Sequence, residues 1–168
     1  MLRFNTNDMD LRIDHLVNFT QGILDAFHYR QRHIRPVLTV IARLMYLHFQ
    51  TVFENEGSAE TGPWAPIAVS TLQWKRSHGY PDDLLVATGL YKESLTRRGP
   101  YGQLSIRGNT ITITSKVEGK DGALLAVYHE EGTARMPARP VINSISDTLR
   151  ERWTQMVAHY IITGDVRE

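Results

Sequence analysis

Gly108-Asn109 constrains this chain more than any other pair of neighbours. Both residue types suit backbone with positive φ, and apolar and polar residues alternate on either side, in LSIR before the pair and TITIT after it. A two-residue turn there pairs Arg107 with Thr110, Ile106 with Ile111, Ser105 with Thr112 and Leu104 with Ile113. Strand side chains alternate between faces, so Leu104, Ile106, Ile111 and Ile113 share an apolar face. The other face carries Ser105, Arg107, Thr110, Thr112 and Thr114. A lone hairpin is only marginally stable in water. The segments on either side must therefore cover the apolar face, or another subunit must add strands to it.

Those segments read as helices. Residues 8–33 carry Leu16, Phe19, Ile23 and Phe27 at spacings of three and four, with Asp8 or Asp10 to cap the start. The pattern runs into HYRQRHIR, residues 28–35, and Pro36 ends it or opens the next helix. Residues 37–55 form a second helix, with Val37, Val40, Ile41, Leu44, Leu47 and Phe53 as its core side. EGSAETGPWAP, residues 56–66, is a loop in which Trp64, between two prolines, turns back into the core. A short helix over 68–77 ends in Lys75 and Arg76. Thr88 caps a helix over about 89–97. After the hairpin, VEGKDG forms a mobile loop, and a helix over 123–131 stops at Gly132. Ser144-x-x-Asp147 then opens a C-terminal helix with Ile145, Leu149, Trp153, Met156, Tyr160 and Ile161 on one side, ending near Gly164. The pattern predicts an α+β fold: a small antiparallel sheet with a central β-hairpin, flanked by helices, and an N-terminal helical pair. Residues 1–56 form that arm or pair, and 57–168 the α+β core with the C-terminal helix, together one compact unit.

Composition narrows the chemistry. The chain has 168 residues, 42% of them hydrophobic and 22% charged, with a net charge of +1. A single core is affordable, and any nucleic-acid-binding surface must be local. The absence of cysteine excludes disulfide frameworks and thiolate metal sites, and fits a reducing cytoplasm. No signal peptide is read at the N-terminus, and no stretch is read as the roughly 20 apolar residues of a spanning helix, so no membrane partner is expected.

Catalytic constellations are sought in vain. His129-Glu130-Glu131 lacks a second histidine at helical spacing, so the zinc-protease pattern fails, and His129 reads as a structural residue at a helix end. No glycine-rich phosphate loop and no nucleophile elbow is present. Asp82-Asp83 reads as a turn or helix start. No catalytic residue, cofactor or metal site is expected. Two basic segments remain. Arg30, Arg32 and Arg35 suit either a helix end or contact with a phosphate backbone or acidic partner. Arg135 and Arg139 lie in ARMPARP, where Pro137 and Pro140 stiffen the chain and lower the ordering cost of docking.

The order of short motifs resembles a known family. Gly62, Trp64 and Pro66 form G-x-W-x-P, followed by Thr71 and Lys75. Leu84, Leu85, Thr88, Gly89, Leu90, Ser94 and Leu95 form L-L-x-x-T-G-L-x-x-x-S-L. After the hairpin come Tyr128, His129, Glu130 and Gly132 as Y-H-E-x-G, then Pro137, Ala138, Arg139 and Pro140 as P-A-R-P. Over about residues 50–145 this series resembles the phage virion morphogenesis or tail completion family of Mu-like phages. The family usually has an aromatic after P-A-R-P and a hydrophobic or aromatic residue before the glycine of Y-H-E-x-G. Val141 and Glu131 depart from it.

The resemblance implies a structural virion protein of a tailed bacteriophage, not an enzyme. It forms a homo-oligomeric ring, a hexamer, at the neck or head-proximal tail end, completing the tail and joining it to the head. The partners implied are copies of itself, other neck, connector and tail tube proteins, and DNA passing through the lumen. Assembly takes place in the host cytoplasm. A tail terminator or minor head protein is the alternative within virions. A small nucleic-acid-binding protein using residues 28–35 is the alternative from another class. A cyclic ring needs a heterologous interface. Its candidates are the sheet edge beside the hairpin and the strap Arg135, Pro137, Arg139, Pro140, with Glu130 and Glu131, or Asp82 and Asp83, as acidic receivers on a neighbour.

Overall fold

The computed structural model describes residues 20–167. The expected start of the first helix, with Asp8, Asp10, Leu16 and Phe19, lies outside them. The fold is α+β. Helix α1 covers residues 20–32 and is followed by α2, Arg35–Glu54. A minimal pair of strands, β1 Gly57–Ser58 and β2 Gly62–Pro63, closes the loop that was expected to lack strands. Then come α3, Val69–Ser77; α4, Leu90–Thr96; β3, Gly102–Arg107; β4, Thr110–Ser115; α5, Leu125–Glu131; a 3₁₀ turn, Ile142–Ser144; and α6, Asp147–Thr163.

The hairpin forms with the register read from its turn, from Leu104 opposite Ile113 to Arg107 opposite Thr110. Its apolar face is divided between two clusters. Ile106 and Ile111 pack with Ile34, Val37, Leu38 and Ile41 of the α2 approach and Trp153, Met156 and Tyr160 of α6. Ile113 packs with Phe49, Val52 and Phe53 at the other end of α2 and with Tyr91 and Leu95 of α4. Gly102 lets the hairpin press against α4, since a Cβ there would stand 1.9 Å from the Ser94 carbonyl oxygen.

Helix α2 therefore takes part in both clusters. Leu38, Phe49 and Val52 are buried while Leu47 is 47% exposed, because the helix is gripped from more than one side. The expectation that no stretch resembles a spanning helix is corrected here: within the 20 residues of α2 an 18-residue window reaches a mean hydropathy of 1.2, long and apolar enough by length and composition alone. That apolarity is spent on the core, as the burial of Val37, Ile41, Phe49 and Phe53 shows.

Two caps differ from expectation. The N-cap of α6 is Ser146, whose Oγ accepts from the Leu149 amide at 3.1 Å. Ser144 is drawn instead into the 3₁₀ turn, where its hydroxyl meets His48 Nε2 at 2.9 Å. The N-cap of α4 is Gly89 at φ 78°, with the Thr88 hydroxyl 3.5 Å from the Leu90 amide. Gly164 ends α6 in the left-handed region, as its position suggested.

Candidate functional site

A cavity of about 510 Å³ opens between α3, the 84–89 loop, α5 and the 135–139 strap. Its size falls in the range of ordinary ligand pockets. Each wall is fixed by a side chain that bonds to backbone elsewhere in the chain. Lys75, only 4% exposed, donates from Nζ to the Asp83 carbonyl at 2.6 Å, tying α3 to the loop. Arg76 adds a two-pronged contact to Asp82, at 3.1 and 2.7 Å, on the outside. Glu56 accepts from the Leu84 amide at 2.8 Å and fixes the loop's start. Leu85 sits at φ 59°, a region that costs a side chain about 1 kcal/mol or more, so the loop holds it against its preference.

The strap is fastened in the same way. Arg139, 6% exposed, donates from Nε to the Ala65 carbonyl at 3.0 Å and from Nη2 to the Pro66 carbonyl at 3.1 Å. Trp64 plugs the core as expected, and its Nε1 donates to the Pro140 carbonyl at 3.2 Å. Glu130 accepts from the amides of Val141 and Ile142 through Oε1, at 2.8 and 2.7 Å, and from Asn143 through Oε2 at 3.0 Å. Its carboxylate thus sits where the 3₁₀ turn offers unpaired donors. Gly132, at φ 74°, ends α5 in contact with the strap; a Cβ would stand 2.7 Å from the Ala138 nitrogen.

Arg139 and Glu130 are accordingly engaged within the chain. Pro140 is half-buried with its carbonyl taken by Trp64. Arg135, Pro137 and Glu131 are exposed and remain available at the surface. Among the basic residues near the N-terminus, Arg30 is also engaged: Nη1 donates to the carbonyls of Ile161, at 2.8 Å, and Ile162 in the last turn of α6. Arg32 and Arg35 are exposed.

The cavity combines apolar walls with positive charge. Lys75, Arg135 and Arg139 line it, and among the described residues no Asp or Glu does. Two polar atoms beside it are buried without a hydrogen-bond partner, Tyr91 Oη and His129 Nδ1. The two ring centroids lie 4.9 Å apart, with the planes tilted by 44°. Burial, and then the nearby Arg139 charge, pulls His129 down from 6.5 to about 4, so the imidazole is neutral at pH 7. Burial, assisted by Glu130, pushes the Tyr91 hydroxyl up. Burial lowers Arg139 too, against the opposing charge of Glu56. Neither Asp nor Glu is positioned with His129 as a donor set: among the described residues no group of three or more His, Asp or Glu side chains gathers as for a metal.

In the sequence Lys75 stands only as the end of a short helix and in the Thr-x-x-x-Lys element of the family-like series, Leu85 only in its L-L-x-x-T-G element, and Tyr91 and Trp74 carry no role. No family model, curated protein or solved structure matches the chain.

Proposed function

We propose that this chain is a structural virion protein of a tailed bacteriophage. It forms a ring at the neck or the head-proximal end of the tail, completes the tail and joins it to the head. One observation carries the reading. The family-like motifs are far apart in the sequence, yet Pro66, Thr71, Lys75, Leu85, Gly89, His129, Pro137 and Arg139 all line one cavity. A series of chance resemblances has no reason to converge on a single built site. The polar fixings around it serve backbone positions, which suits a rigid assembly part better than a reaction centre. Copies of the chain, neck, connector and tail tube proteins are its partners in this reading, with DNA in the lumen.

Imaging of particles carrying a tagged copy tests the assignment. The tag should mark the neck or the proximal tail, and particles made without the protein should separate into heads and tails. A tag located elsewhere in the particle, or absent from it, overturns the reading. Arg135→Glu probes the exposed part of the strap: it should leave the fold intact and lower the yield of joined particles.

A further inference from the structure

We propose that the cavity is a binding site for a small hydroxylated aromatic acid, a flat apolar body with a carboxylate at one end and a polar group at the other. The proposal goes beyond the ring reading and does not rest on it. The charge is read from Arg135. This residue lines the cavity and is exposed, and its guanidinium is bonded to nothing among the described residues. Only its backbone amide is engaged, by the Thr133 hydroxyl at 3.2 Å. A planar fork of uncommitted N–H donors matches a carboxylate in geometry as well as charge. Lys75 and Arg139 line the same space, and their bonds to carbonyls orient them without cancelling their charge. Glu56 and Glu130 are held by backbone amides and do not line it. Among the described residues the charged lining is therefore cationic throughout.

The rest of the wall fits a flat ring. Ile67, Leu84, Leu85, Val86 and Met136 supply apolar surface, and Trp74 stands among them. Trp74 is 48% exposed, yet it is held in place. Its ring stacks on His78 with centroids 4.5 Å apart and planes 29° apart, and His78 Nδ1 lies 2.8 Å from the Trp74 carbonyl. A fixed indole left uncovered on a cavity wall offers a ready surface for an aromatic ligand. The volume of about 510 Å³ leaves room for a bicyclic ring.

The second polar group is read from Tyr91 and His129. Tyr91 is 3% exposed, and its hydroxyl and His129 Nδ1 are both buried with no partner. Unmade bonds of this kind are uncommon in folded proteins. Both residues line the cavity, so a hydroxyl at the inner end of a ligand meets two groups that lack one. The tyrosine donates or accepts, and the imidazole, neutral at pH 7, does either according to its tautomer. The carboxylate then lies at exposed Arg135, the ring beside Trp74 and the hydroxyl at the buried wall.

Three probes separate these parts. 6-Hydroxy-2-naphthoate carries both polar groups, 2-naphthoate lacks the hydroxyl, and 2-naphthol lacks the carboxylate. Titrated by calorimetry against the full-length protein, the first should bind at one site per chain and about tenfold more tightly than either of the others. Arg135→Gln should weaken both acids about tenfold and leave 2-naphthol unchanged. Tyr91→Phe should bring the hydroxy acid down to the affinity of 2-naphthoate; it removes an unbonded hydroxyl and so strands no partner. Thermal unfolding checks that both variants fold. If Tyr91→Phe does not, Ala87→Trp, at an exposed position of the wall, should block all three probes. No saturable binding of the hydroxy acid overturns the proposal. Equal binding of the three probes, unaltered by Arg135→Gln, overturns it also, since an apolar surface alone would give that result. Binding that neither Arg135→Gln nor Ala87→Trp weakens places the probe elsewhere and does the same. None of these outcomes touches the ring reading, which imaging of particles decides.

Discussion

The two ends of α2 are built by different physics. At its N-terminal end, Ile34, Val37, Leu38 and Ile41 meet Trp153, Met156 and Tyr160 of α6, with the tip of the hairpin above. Apolar packing dominates there; Tyr160 still donates its hydroxyl to the His33 carbonyl at 3.0 Å. At its C-terminal end an aromatic set, Phe53 with Trp64 and Tyr91 in edge-to-face contact, forms the centre. Around it, Lys75, Arg139, Glu130 and Trp64 each reach across to backbone groups of another segment. The first end is held by area, which tolerates small shifts. The second is held by directed bonds, which fix the orientation of the loops bordering the cavity. A partner site needs the second kind of construction.

The largest break in this comparison comes from the apolar end. Ile41→Ala removes a side chain that is 4% exposed between α2 and α6 and should cost about 3–4 kcal/mol in urea unfolding. A loss below about 1 kcal/mol would mean that this end is not a packed core. The polar end should answer differently. Arg139→Met keeps comparable bulk but strands the Ala65 and Pro66 carbonyls, and should cost about 3 kcal/mol. Arg139→Lys, which keeps the charge without the planar fork, should recover less than half of that. Full recovery by lysine would show that charge alone, not the paired bonds, holds the strap. Because this residue is buried, its variants test folding, and assembly is better tested at exposed Arg135.

The difference between the ends also decides what could be read beforehand. Helical spacing predicted Trp153, Met156 and Tyr160 on one side of α6, and period-two alternation predicted the register of the hairpin, because both follow from local geometry. The polar end rests on bonds between residues far apart in the chain, such as Arg139 to Ala65, and periodicity carries no trace of them. Lys75 is the sharpest case: a lysine in the last turn of a short helix looks solvated, yet a carbonyl eight residues on holds it inside. The misplaced cap has a related cause. Ser144-x-x-Asp147 fits the pattern, but Glu130 holds residues 141–143 in a turn, so the helix starts from Ser146 instead.

His129 sharpens the comparison through pH. Its folded value of about 4 lies below the unfolded 6.5, so the unfolded chain takes up the proton first as pH falls. The stabilisation is complete above pH 6.5, is lost progressively towards pH 4, and is flat below. The loss should be roughly 2–3 kcal/mol, allowing for some residual access of water. His129→Gln should flatten the difference between pH 6.5 and pH 4 relative to the parent. His48, lowered by burial at the 3₁₀ turn, will leave a smaller acid response behind. An unchanged pH profile in the glutamine variant would mean that His129 protonates freely and the cavity wall is open to solvent.

The smallest effect belongs to Arg30, at the apolar end, where a polar fixing is the exception. Its Nη1 donates to the carbonyls of Ile161 and Ile162, groups that the last turn of α6 cannot satisfy by itself, and its charge lies at the negative end of the helix dipole. Arg30→Met keeps the apolar stem and removes both effects. It should cost about 0.5–1 kcal/mol and speed amide exchange selectively in the last turn of α6. The same variant separates the two meanings of the basic 28–35 segment. If Arg30 serves α6, its loss alters that exchange and leaves any salt-dependent affinity for DNA to Arg32 and Arg35, which are exposed. If the variant instead keeps the exchange of α6 unchanged and lowers the salt slope of DNA binding by about one, the arginine's contact with α6 is dispensable and its phosphate role is primary.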